Sequence, residues 1–181
     1  MPKYYVIPVD SDGLGYLGIK ESYNPYDHRP WYCGGCPQAF GGNAQGGVFD
    51  TLYNEAMEES HSKIYLVRGV RYYRKVHEHD DMQFFVCTKF SYSPSNSIPQ
   101  FLRKAQKKYW ETTGEVLKFD LGEVPTADRA SAAQRVLLTY YRRTGRRPTE
   151  KHMVEFMKSE TAEAIRKAAL LMQNGGLPTF V

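Results

Sequence analysis

The block from 41 to 59 constrains this chain most. Two glycine pairs, Gly41-Gly42 and Gly46-Gly47, lead into residues 48–60, where Val48, Leu52, Ala56 and Glu59 recur at helical spacing and Asp50 and Thr51 suit a first turn. On such a helix Glu55, Glu58 and Glu59 fall at i, i+3 and i+4, so their carboxylates share one face, with Cβ atoms about 6 Å apart. Three like charges that close need solvent, shared protons or a cation. Hard carboxylate oxygens select magnesium, manganese or calcium. The plainer reading is the acidic outer face of an amphipathic helix.

What surrounds the helix decides which reading has more to explain. Residues 4–9 and 14–20 are short apolar runs around an Asp-Gly step at 12–13 and predict a β-hairpin. Residues 21–47 carry Pro25, Pro30, Pro37 and six glycines, which predicts a long irregular loop. Beyond the helix, residues 63–75 and 82–92 predict two strands joined by a polar turn at 77–81. A helix over 98–112, a strand over 115–124, an amphipathic helix over 126–143 and a helical stretch over 148–174, broken near Ser159, complete the series.

A glycine loop, then an acidic helix, set between β segments, resembles the Nudix box. Residues 54–59 (Asn-Glu-Ala-Met-Glu-Glu) follow its pattern of Arg-Glu, apolar, any, Glu-Glu, except that Asn54 stands where the family has arginine. The box's first glutamate has no counterpart in this chain, and Ser60-His61 follows the glutamate pair where the family prefers a glycine at the second position. The resemblance spans roughly residues 4–145. It implies a Nudix-type α/β/α sandwich with a mixed sheet over residues 1–145, extended by C-terminal helices over 146–181. It also implies hydrolysis of a nucleoside diphosphate-linked or other phosphoanhydride substrate, with Glu55, Glu58 and Glu59 as catalytic metal ligands for Mg2+ or Mn2+. Gly41 and Gly42 would let the backbone approach the diphosphate, and Tyr32, Phe40 and Phe49 are candidates to stack a base, with core packing the alternative for all three. A further metal-site acid would come from Glu78, Asp80, Asp81, Glu111 or Glu115, among which the sequence does not choose. The departures leave open a catalytically silent module that binds a nucleotide or a protein partner.

Other motifs carry less. Cys33 and Cys36 have redox spacing, but the glycine-rich residues after them cannot start the helix that would lower a thiol pKa. A zinc knuckle needs a second pair, for which only His28, His77 and Cys87 are at hand. The basic joint from Arg142 to Arg147, with Lys151, invites nucleic acid. Met153, Phe156, Met157, Ile165, Leu170 and Leu171 read instead as a packing face, or one for a homodimer or a partner protein. Three cysteines, no apolar run of membrane length and an N-terminus without a basic leader predict a cytoplasmic protein without a membrane anchor. A formal charge of +4 suits phosphorylated small molecules without demanding nucleic acid.

Overall fold

In the computed structural model, which describes all 181 residues, strands β1 (Lys3–Pro8) and β2 (Leu14–Lys20) flank a turn organised by one side chain. Asp10 Oδ1 accepts from the backbone N–H of Asp12 at 2.9 Å and of Leu14 at 3.0 Å, while Gly13 supplies φ +80°. The two strands meet at one bridge, Val9 to Gly15, and then part into different sheets. The expected hairpin is therefore a turn without a ladder, because both edges of β1 are taken by other strands.

One of those partners lies in the stretch that its glycines and prolines mark as irregular. Strands β3 (Pro37–Gln38) and β4 (Phe40–Asn43) form there, and β4 runs antiparallel to β1 with Tyr5 opposite Gly41. A Cβ at Gly41 would lie 2.1 Å from the Tyr4 carbonyl oxygen, so glycine at this position permits the pairing instead of breaking it.

Helix α1 (Val48–Glu59) follows, then β5 (Ile64–Leu66), a 3-10 turn at Val70–Tyr72, β6 (Tyr73–His79), β7 (Met82–Cys87) and β8 (Phe90–Tyr92). His79 pairs with Met82, so His77 and His79 belong to a strand and the turn is confined to Asp80 and Asp81. The helix expected over 98–112 is only α2 (Gln100–Ala105) with a 3-10 turn at Lys107–Tyr109. No side chain of α2 is buried, and a helix without a packed face gains little from lengthening. Next come β9 (Thr112–Asp120), α3 (Arg129–Thr144), α4 (Glu150–Met157) and α5 (Glu160–Gln173). The last three open on Asp128, Thr149 and Ser159, each accepting from a backbone N–H of the first turn, and α3 stops at Gly145 with φ +69°.

The strands order as β4-β1-β7-β6 and as β3-β2-β9, with β5 and β8 paired apart. β1 and β7 run parallel while their neighbours are antiparallel, which makes the larger sheet mixed. Alternating side chains then separate two cores. Ile7, Leu17, Ile19 and Val86 pack with Val136, Phe156, Ile165 and Ala169 of α3, α4 and α5. Their neighbours Val6, Tyr16 and Cys87 pack with Leu52 and Ala56 of α1 on the other face. This is the α/β/α arrangement around a mixed sheet that the resemblance implied. α4 and α5, which lie within residues 146–181, share the larger core with the strands. No helix is long and apolar enough to cross a membrane.

Candidate active site

α1 begins at Gly47 and is held to the glycine loop by Thr51, whose hydroxyl donates to the Gly47 carbonyl at 2.9 Å and accepts from the Gln45 N–H at 2.8 Å. That fixes the helix beside β4, and the acidic residues meet the glycines directly. Glu59, 3% exposed, accepts a 2.6 Å hydrogen bond from the Gly41 N–H. Glu55 lies one turn earlier, its carboxyl so near Gly42 that a Cβ there would come within 3.0 Å of Oε1, and Gln45 Nε2 donates to it at 3.3 Å. A side chain at Gly42 would press on the Glu55 carboxylate, and the Gly41 N–H, already bonded to Glu59, is not free to bind a phosphate.

A cleft of about 650 Å³ opens in front of these residues. Glu55, Gly41, Gly42 and Gln45 form one wall; Tyr5, Met82 and Phe84 also line it, as do Lys20 and Glu111. Tyr5 stacks on Phe84 with ring centroids 4.7 Å apart. Across the cleft, Ser159, Glu160 and Thr161 present the start of α5. Glu160 bonds His77 Nε2 at 2.8 Å and Arg129 at 3.0 Å. Although burial works the other way, these partners hold its carboxyl below the usual range. Lys167 donates to His77 Nδ1 at 2.8 Å, which places the ring proton on Nε2, toward Glu160.

The two walls differ in electrostatics. Burial, then the charges of Glu58 and Glu111, push Glu55 up to about 7. Burial, then Glu111 and Glu55, raise Glu59 well above the ordinary carboxylate value, against the opposing pull of the Gly41 hydrogen bond and Lys20. Burial and the charges of Glu111, Glu59, Asp81 and Glu55 carry the Tyr5 phenol to about 12. Lys20 Nζ stands 3.6 Å from Glu111 Oε1 and is the cation that answers this cluster. Of the five candidate acids, Glu111 lines the cleft and its charge acts on both Glu55 and Glu59, while Asp80 also lines the cleft, beside His79. Glu115 pairs with Arg146 and Glu78 with Lys75.

Of the three helix glutamates only Glu55 lines the cleft; Glu59 is buried behind Gly41, and Glu58 is half-buried and raised by burial, with Lys108 acting to lower it. Tyr32 is on the cleft, 58% exposed. Phe40 and Phe49 are not. Phe40 is fully buried beneath Gly18, and Phe49 packs on Tyr73 with centroids 4.7 Å apart, so the structure gives both rings to the core, where Leu52 and Ala56 of the same helix also lie.

Buried Glu59 and part-buried Glu55, repelled by the exposed Glu111 and with one lysine beside them, fit a hard divalent cation in donor type and charge. No three His, Cys, Asp or Glu side chains converge into a ready-made cage. The same observation leaves Cys33 and Cys36 without further zinc ligands. Both thiols are buried, and burial raises Cys33 to about 12, the reverse of a redox-active thiol.

No family model and no curated protein matches the chain. Among solved structures it is similar to an ADP-ribose pyrophosphatase from Streptococcus suis, at 15% identity over 94% of this chain and 90% of that one, with a TM-score of 0.42.

Proposed function

We propose that this chain is a metal-dependent hydrolase of the Nudix type, cleaving a phosphoanhydride in a nucleotide-like substrate. The reading rests on one observation: Glu59 is buried and clamped by the Gly41 N–H, with Glu55 and Glu111 in its field at the edge of an open cleft. Glu55, Glu59 and Glu111, with Glu58 from the flank, would hold Mg2+ or Mn2+. When bound, such an ion lowers the pKa of water and neutralises charge developing on phosphate oxygens. The chain's own residues fix the donors. Gly41 orients Glu59, Gln45 orients Glu55, and Lys20 restrains Glu111 while offering a positive charge to an anionic substrate. Tyr5, Met82 and Phe84 give that side of the cleft an aromatic and apolar lining.

The test is release of phosphate or nucleoside monophosphate from a panel of nucleotide substrates with Mg2+, in the parent, Glu58→Gln and Glu59→Gln. Loss of turnover in both variants supports the hydrolase. A parent inactive on every substrate replaces it with the second reading, a binding module of the same fold, which Asn54 in place of the box arginine favours.

A further inference from the structure

Next to the acidic cleft lies a second cavity of about 390 Å³ with different chemistry. The Glu21 N–H donates to the Glu111 carbonyl at 2.9 Å and ties the two rims together. Lys20 and Glu111 face the acidic cleft, whereas their chain neighbours Glu21 and Trp110 face this pocket. Its remaining walls include Tyr23, Tyr26, Gln100, Arg103 and Lys104.

The loop that carries the tyrosines is pinned at both ends. Trp31 N–H donates to the Ser22 carbonyl at 3.0 Å, Tyr23 bridges Pro30, and Asn24 Oδ1 accepts from the Tyr26 N–H at 2.9 Å. This geometry brings the Tyr26 ring to a centroid distance of 4.1 Å from Trp110, tilted by 59°. Even so, Tyr23 and Tyr26 are 59% and 67% exposed, so the fold leaves much of both rings facing water. The Trp110 indole N–H already donates to the Arg103 carbonyl at 2.8 Å, which leaves the indole only its faces to offer.

The polar groups are equally one-sided. Glu21 accepts from Arg103 Nη2 at 2.8 Å, so the only acid lining the pocket is neutralised. Arg103 Nε is buried without a partner. Lys104 lines the pocket, and Lys107 Nζ stands 5.5 Å from the Tyr26 ring centroid. Exposed ring faces, Lys104 with no acid paired to it and one side-chain amide, Gln100, match a planar base joined to a phosphate. A purely apolar ligand would leave the cations unused, and a simple anion would leave the rings unused.

We propose that this pocket is a nucleotide-binding site, with the base against the Tyr26 and Trp110 ring pair and the phosphate toward Lys104 and Lys107. The proposal is independent of hydrolysis in the neighbouring cleft. Since the chain has two tryptophans, Trp31→Phe makes Trp110 the sole indole reporter. In that background, with EDTA present, AMP, UMP and ribose 5-phosphate are titrated while fluorescence is followed. At least one of the two nucleotides gives saturable quenching, and ribose 5-phosphate at the same concentration neither quenches nor competes. Tyr26→Ala weakens binding roughly 5- to 150-fold, the range expected for one stacked base, while Tyr26→Phe retains it. No saturable response to either nucleotide overturns the proposal. So does equal competition by ribose 5-phosphate, which would mark a phosphate site alone, or an affinity unchanged in Tyr26→Ala. A chain that binds nucleotide here yet hydrolyses nothing would refute the hydrolase and leave this site standing; the converse result would do the reverse.

Discussion

Removing the Glu55 charge should stabilise the metal-free protein. Its carboxyl is lifted from the ordinary 4.5 to about 7, first by burial and then by Glu58 and Glu111. The sign follows from linkage. The unfolded chain loses this proton near pH 4.5 and the folded chain near 7, so the stability that the protonated carboxyl contributes is complete below 4.5. It is lost as pH rises through 7. At about 1.4 kcal/mol per unit, ionising Glu55 inside the folded protein costs up to about 3 kcal/mol at pH 8. Glu55→Gln keeps the shape and still accepts from Gln45 Nε2. In EDTA at pH 8 its Tm should rise by roughly 6–12 °C, and the gain should vanish at pH 4.5. Excess Mg2+ should stabilise the parent and leave the variant unmoved, while the variant loses hydrolysis. A Glu55→Gln protein that melts at or below the parent at pH 8 in EDTA would refute the reasoning, because Glu55 would then be well solvated or already paired.

Further predictions concern other parts of the same frame. Gly41→Ala puts a Cβ 2.1 Å from the Tyr4 carbonyl oxygen and should cost about 3 kcal/mol in urea unfolding, loosening the grip on Glu59 as β4 moves from β1. Glu111→Gln should lower hydrolysis at least about 10-fold with little change in Tm, whereas Glu115→Gln, which removes only the pairing with Arg146, should leave the rate near that of the parent. His61 is buried with Nε2 unpartnered, and burial, with Arg103 and Lys63, lowers it to about 4 from the ordinary 6.5. The unfolded chain takes up this proton first, so His61 should withdraw up to about 3 kcal/mol of stability as pH falls from 6.5 to 4. His61→Asn, which tolerates the φ of +51°, should remove that part of the acid sensitivity in paired thermal melts.

Short-range pattern makes part of this site legible in the amino-acid sequence alone. Helix α1 is readable because apolar residues recur at its period, and the i, i+3, i+4 glutamates follow from that period. The break between α4 and α5 is readable from Ser159, whose side chain caps Ala162. Strand β4 is not, because Gly41 looks like a chain breaker until the Tyr4 carbonyl is seen to need the space. Glu111 cannot be told from the other acids, since it is brought to the cleft by the pairing of β2 with β9, a contact between residues about a hundred positions apart. Phe40 and Phe49 mislead for a related reason. An aromatic beside a glycine loop can face ligand or core, and only the opposing strand settles which.

Equilibrium metal binding tests the central claim most directly. Titration of Mn2+ followed by electron paramagnetic resonance, with no substrate present, should show a saturable site in the parent that is lost or weakened at least about 10-fold in Glu55→Gln and Glu59→Gln. Mn2+ affinity identical in the parent and both variants would mean that these carboxylates hold no ion, and the acidic cleft would not be a metal centre.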